Sequence, residues 1–155
     1  MRYLLLDRIT QLVPGERAAG LKCVSLSDDV FVDHFPGHPI FPGALVVEGL
    51  AQLAGVLLEQ TAVARGVGER HAILSIVERA KFRRMVRPGD RLELEAIVRA
   101  FREEGGQASG VARIDGEIAA EAELTFAFAA VTNPRVAARR AEYLRVWLTG
   151  SAEDV

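Results

Sequence analysis

The stretch PGALVVEGLAQLAGVLLEQTAVAR, residues 42–65, carries more apolar side chains than one face of a helix can hold. Read with a helical period, Val46, Leu50, Leu53 and Leu57 form one stripe, and Val47, Ala51, Ala54 and Leu58 form another. A helix running from 43 to about 65 is therefore apolar around most of its circumference and needs cover on several sides. Pro42 suits its first position, because the N–H that proline lacks would find no intrahelical partner there. The prolines and glycines from Pro36 to Gly43 exclude regular structure just upstream. The run falls short of a membrane span and carries an acid and an amide, Glu48 and Gln52, near its middle, so it reads as a buried soluble helix.

The cover follows in the sequence. In RLELEAIVRAF, residues 91–101, Leu92, Leu94, Ala96, Val98 and Ala100 alternate with mostly charged neighbours, the period of a strand with one buried face. HAILSIVERAKFRRMV precedes it and ends at the turn Arg87-Pro88-Gly89-Asp90. Gly105-Gly106 and Asp115-Gly116 mark two more turns, the second a favoured hairpin pair, which predicts an antiparallel meander to about Ala130. Near the start, Pro14-Gly15 separates two short runs and predicts a β-hairpin. Past Asn133-Pro134, RVAARRAEYLRVWLTG mixes Val136, Tyr143, Val146 and Trp147 with arginines and reads as a terminal amphipathic helix; the closing SAEDV reads as frayed. One long buried helix with a sheet large enough to wrap it is an α+β arrangement.

With 155 residues, half of them hydrophobic, the chain suits one domain with a sizeable core. A net charge of −2 gives no global basic footprint, so no nucleic-acid partner is expected. The single cysteine, Cys23, reads as a small hydrophobe in a strand, and the N-terminus lacks the features of a signal peptide, which points to a cytoplasmic protein. No Cys/His cluster has zinc-ligand spacing and no Gly-rich phosphate loop is present, so neither a metal nor a nucleotide is suggested.

Glu48 stands alone as a charge in the apolar run from His34 to Gly55. Burying an ionised carboxylate without a partner costs several kcal/mol, so this acid must be paired, protonated or open to a cleft. Two readings are open at this point. An arginine from the sheet can pair with it, and Gln52, one turn later on the same face, can satisfy it by hydrogen bonding. Alternatively, a carboxyl acting as general acid and a histidine acting as base are the two groups an elimination needs. One takes a proton from the carbon next to a carbonyl; the other donates to a departing hydroxyl. The N–H groups of Gly43 and Ala44, at the helix start, can polarise a thioester carbonyl. His38 and His71 read as ordinary loop or core residues.

The residues HFPGHPIFPGALVVEGLAQ, 34–52, resemble the signature of the β-hydroxyacyl-acyl carrier protein dehydratases of the FabZ type, HFPGxPxxPGxLxxEaxxQ. LLLDRITQLVPGERAAGLKCVS resembles that family's first hairpin, and ERAKFRRMVRPGDRLELE and GEIAAEAEL resemble its later strands. The resemblance implies a hot-dog fold over residues 1–132, a curved antiparallel sheet around one long central helix, followed by an extension at 133–155 that is helical and then frayed. Matched residue by residue, it implies that His34 is the catalytic base, Glu48 the catalytic acid and Gly43 the amide that binds the thioester carbonyl, with Phe35, Gly37 and Gln52 in supporting positions. It also implies a homodimer whose sites draw the histidine and the acid from different subunits, with trimers of dimers as a further assembly. The reaction so implied is dehydration of (3R)-3-hydroxyacyl-acyl carrier protein to the trans-2-enoyl thioester, with no cofactor beyond the carrier's phosphopantetheine. An acyl thioesterase and an idle acyl-binding partner subunit are the alternatives on this fold.

Between Arg79 and Arg91 six basic residues face one acid, Asp90. By itself such a run is usually a solvated face. With the family resemblance it becomes a candidate docking patch for an acidic carrier protein, centred on Arg83, Arg84 and Arg87. The tail beyond AEAELTFAF exceeds the family pattern, and is expected to cover a sheet edge, alter oligomer contacts or touch the carrier.

Overall fold

The long helix α1 spans Gly43–Ala64, and its buried positions include both apolar stripes. Leu50, Leu53, Leu57 and Leu58 are fully buried, each worth about 1.5–3 kcal/mol of transfer free energy. The computed structural model describes residues 3–149. Pro42 is the N-cap rather than the first helical residue: its carbonyl accepts the N–H groups of Leu45 and Val46 at 2.9 and 3.2 Å. By length and hydropathy α1 could cross a bilayer, but 72% of its most apolar window is buried inside the protein, which marks a core helix.

A six-stranded antiparallel sheet wraps this helix. Strands β1 (Arg8–Val13) and β2 (Arg17–Cys23) form the hairpin across Pro14-Gly15; β3 (Arg70–Phe82) follows α1; β4 (Arg91–Arg102), β5 (Gly105–Ile114) and β6 (Glu117–Ala130) form the meander. The sheet order is β1-β2-β4-β5-β6-β3, so β3 returns to pair with β6 and lies at an edge. Among the described residues the meander ends at Ala130, where the sequence placed it.

Three local expectations are corrected. In β4 the inner face holds Leu92, Leu94 and Ala96, but Ala100 is exposed. A register shift between Val98 and Ala100 adds a residue and reverses the alternation, so Phe101 packs on the core in place of Ala100. Its ring meets Phe128 at 5.6 Å. The β4–β5 turn is Glu103-Glu104, since Arg102 already pairs with Gly105. Gly105 and Gly106 open β5 instead, and a Cβ on Gly105 would strike the Phe126 carbonyl oxygen. Asp115-Gly116 does form the tight turn, with φ of 52° and 83°, the left-handed pair a type I′ hairpin needs. Cys23 ends β2 exposed, its N–H donating to Asp7 Oδ2 at 2.7 Å, and is not a core residue.

The terminal helix α2 spans Pro134–Leu148, capped by Asn133 Oδ1, which accepts the Arg135 N–H at 3.0 Å. It packs against β1, one of the two edge strands of the sheet, as one of the expectations for the tail had it. Its Arg140 reaches Glu59 of α1, and its Trp147 indole donates to the carbonyl of Leu6, just before β1, at 2.7 Å. Leu144, Trp147 and Leu148 pack on the core. The frayed end expected for SAEDV lies outside the described residues.

Candidate active site

The chain from Asp29 to Phe41 has little regular structure, and backbone hydrogen bonds hold it in place. A 3-10 turn, Asp29–Val32, delivers the chain to His34, whose N–H donates to the Val30 carbonyl at 3.0 Å. Phe35 and His38 exchange N–H to carbonyl bonds at 3.1 and 2.9 Å, closing a tight turn through Gly37, at φ 71°. The His34–Phe35 peptide is cis, and the two rings stack with centroids 4.1 Å apart. His38 is exposed, as a loop residue.

His34 Nδ1 lies 2.7 Å from the Ile40 carbonyl oxygen. A carbonyl can only accept, so Nδ1 carries the proton and the neutral ring presents Nε2 as its basic nitrogen. The Ile40 N–H returns a bond to the His34 carbonyl at 3.0 Å, which fixes the loop from both sides.

Glu48 sits on the first turns of α1, half-buried. No arginine pairs with it among the described residues. Its Oε1 accepts the Gln52 Nε2 amide at 3.0 Å. Gln52 also accepts the Leu5 N–H at 2.9 Å and donates to the Tyr3 carbonyl at 3.1 Å, so it ties the acid to the N-terminal segment. Tyr3 is a further neighbour: burial first, and then the charge and hydrogen bonding of Glu48, hold its phenol above the usual value. No pattern in the sequence pointed to Tyr3, because its proximity to Glu48 depends on how the N-terminal segment crosses α1.

Gly43 begins α1, where the first N–H groups have no intrahelical acceptor. The Phe82 ring lies so close that a Cβ on Gly43 would come within 2.6 Å of it, and any larger residue must displace the ring. The β3–β4 connection also bonds to the histidine loop, through the Phe41 N–H to the Val86 carbonyl at 2.7 Å. The arginine patch thus borders the start of α1. Arg83 pairs with Glu121 at 2.8 Å and Arg84 with Glu117 at 3.2 Å; no ion pair of the Arg87 side chain occurs among the described residues.

A cavity of about 880 Å³ opens between α1, β3 and α2. Glu48, Gln52 and Tyr3 line one end, and Glu59, His71 and Arg140 line it further along. His34 is not among its lining residues, so a single chain does not bring His34 and Glu48 into one cavity. Glu59 pairs with Arg140 and accepts the Ala72 N–H at 2.8 Å. Burial raises the Glu59 pKa, and Arg140 and the Ala72 bond offset part of that rise. Among the described residues His71 Nδ1 is buried without a hydrogen-bond partner, and burial, then the Arg140 charge, lower its pKa. The sequence reading did not single out Glu59, which lies on the same face of α1 as Glu48 and finds its partner on α2. Among the described residues no group of His, Cys, Asp or Glu is arranged to hold a metal.

The chain is similar to curated 3-hydroxyacyl-[acyl-carrier-protein] dehydratases FabZ. It is 45% identical to that of Bacillus velezensis over 125 residues, 81% of this chain and 86% of the relative. It is 46% identical to that of Acetivibrio thermocellus over 128 residues, 81% of this chain and 84% of the relative. Among solved structures, the dehydratase heterocomplex ApeI:P from Xenorhabdus doucetiae matches with a TM-score of 0.66 at 17% identity, covering 90% of this chain and 95% of that one. The acetyl-CoA-bound smu.793 from Streptococcus mutans matches with a TM-score of 0.63 at 11% identity, covering 81% and 90%. These two likenesses speak for the hot-dog fold, the wrapped helix already described. The model of the FabA-like domain matches residues 1–123, and with it the histidine loop, the acid-bearing helix and most of the sheet: the chain belongs to the FabA-like domain family.

Proposed function

We propose that the protein is a dehydratase that converts (3R)-3-hydroxyacyl thioesters on acyl carrier protein to trans-2-enoyl thioesters and water. The observation that carries the reading is the fixed His34 ring, whose Nδ1 is committed to Ile40 and whose Nε2 is left as a base. His34 Nε2 takes the proton from the carbon next to the thioester carbonyl, and the electron pair forms the double bond. The C3–O bond breaks as Glu48 delivers a proton to the departing hydroxyl, which leaves as water. Proton exchange with solvent returns His34 to the neutral form and Glu48 to the protonated one. The Gly43 N–H, at the positive end of α1, stabilises charge on the carbonyl oxygen. Gln52 holds Glu48 in place, and Phe35 and Gly37 shape the turn beside His34. The substrate arrives on phosphopantetheine, and no step transfers electrons to an acceptor.

The active form in this reading is a homodimer in which His34 of one subunit faces Glu48 of the other. Two features support it. His34 and Glu48 of one chain do not share the cavity, and the edge strand β3 exposes Ile73, Ile76, Val77 and Phe82, an apolar edge that a second copy would cover. Trimers of dimers extend the same assembly. Arg87, with Arg83 and Arg84 beside it, receives the acidic carrier next to exposed Met85. The setting is cytoplasmic, which suits one unpaired cysteine.

Mass spectrometry of the protein incubated with 3-hydroxyacyl-acyl carrier protein tests the reaction. Loss of one water with the acyl group still on the carrier is the expected result. Release of free carrier thiol would make it a thioesterase, and no change with any chain would make it an idle acyl-binding subunit.

A further inference from the structure

The cavity beginning at Glu48 changes character along α1. Its first part is apolar, with Ala51 and Gly55 as floor, Leu74 and Phe126 from the sheet, and Leu144 and Trp147 from α2. Glu59 stands on the same face of α1 about 16 Å from Glu48, at 1.5 Å per residue. There it pairs with Arg140, joining α1 to α2 across the cavity. Beyond the pair charged and polar side chains, Glu69, Arg70, His71 and Arg139, enter the lining beside Val63 and Val136. An alkyl chain gains with every methylene buried in the first part. It gains nothing by reaching a half-buried ion pair, which it would have to break or strip of water.

We propose that α2, which lies beyond the residues matched by the family model, is one wall of the acyl-binding cavity, and that the Glu59–Arg140 pair is the stop that sets the longest acyl chain accepted. The inference rests on the dehydratase reading, which puts the thioester at Glu48. Its ligand class is an apolar acyl chain, because the compartment before the pair is lined by aliphatic and aromatic side chains and ends at a charged pair.

The test compares full-length wild type, Arg140→Leu, Arg140→Lys and Glu59→Gln on 3-hydroxyacyl-carrier substrates from butanoyl to hexadecanoyl, with folding checked by circular dichroism. Arg140→Leu and Glu59→Gln are expected to raise the ratio of kcat/KM for long over short chains by about tenfold, the gain from burying roughly two further methylenes. Arg140→Lys keeps the pair and the wild-type ratio. A second readout does not need turnover: Trp147 is the only tryptophan and lines the cavity, so its emission follows saturated acyl-pantetheine thioesters as they bind. In wild type the affinity should climb with chain length and then stop climbing, and in Arg140→Leu the ceiling should move to longer chains. Turnover with an unshifted ratio and an unmoved ceiling overturns the stop and leaves the dehydratase reading standing. No turnover with a shifted ceiling overturns the dehydratase reading and keeps the stop, and no turnover with no ceiling overturns both.

Discussion

Gln52 donates its amide to Glu48 at 3.0 Å and accepts the Leu5 N–H at 2.9 Å, so the orientation of the acid is fixed by a residue anchored in the N-terminal segment. Removing that amide frees the carboxyl to rotate without changing where substrate binds. Gln52→Ala is expected to lower kcat by about 10–100-fold, the equivalent of one hydrogen bond to the charge that develops on Glu48 as its proton leaves, with KM changed far less. Steady-state kinetics with a melting curve checks it. A rise in KM alone at unchanged kcat would show that Gln52 only supports the fold.

If each site takes His34 from one subunit and Glu48 from the other, two dead variants can repair one another. His34→Ala and Glu48→Gln should each lack turnover while keeping the wild-type circular dichroism. Mixed after reversible dissociation, random pairing gives half heterodimers with one intact site in two, so about a quarter of wild-type activity should return. Activity that stays at zero in a mixture shown to contain heterodimers would place both groups in one subunit.

The helix was legible because its two apolar stripes admit only one reading, a core helix wrapped on several sides, and the Asp115-Gly116 hairpin was legible because its backbone angles demand those residues. The fate of Ala100 was not. A bulge between Val98 and Ala100 is set by how β4 bends around α1, and local alternation carries no record of that bend. His34, Glu48 and Gln52 stood out as a motif, yet nothing local showed that Gln52 reaches Leu5 or that Tyr3 stands beside Glu48. The tail was legible as a helix but not as a cavity wall, since the Glu59–Arg140 and Trp147–Leu6 contacts join positions far apart in the chain.

The Phe82 ring packs directly against the start of α1 at Gly43. A methyl group at Gly43 would come within 2.6 Å of the Phe82 ring, which is 57% exposed in the single chain. Gly43→Ala is therefore expected to fold, at a cost of about 1–3 kcal/mol from overpacking, and Phe82→Ala in the same chain should recover most of that loss. Denaturant melts of the two single variants and the double variant measure the coupling. Additive losses would mean that the ring does not constrain the start of α1.

Glu59 gives the chain a pH dependence whose sign follows from its burial. Burial raises its pKa above the ordinary 4.5, and Arg140 only partly offsets that rise. A carboxyl with a higher pKa folded than unfolded binds more protons in the folded state between the two values. Its contribution to stability is therefore full below the unfolded pKa and is lost as pH rises through the folded one. His71 acts in the opposite sense: its pKa is held below 6.5, mainly by burial, so its contribution is lost as pH falls through the folded value. Comparing the His71→Asn variant with the double variant His71→Asn, Glu59→Gln isolates the first effect. The unfolding free energy of the chain that keeps Glu59 should fall relative to the double variant as pH rises from 4.5. A constant difference across that range would show that Arg140 offsets the whole cost of burying the charge.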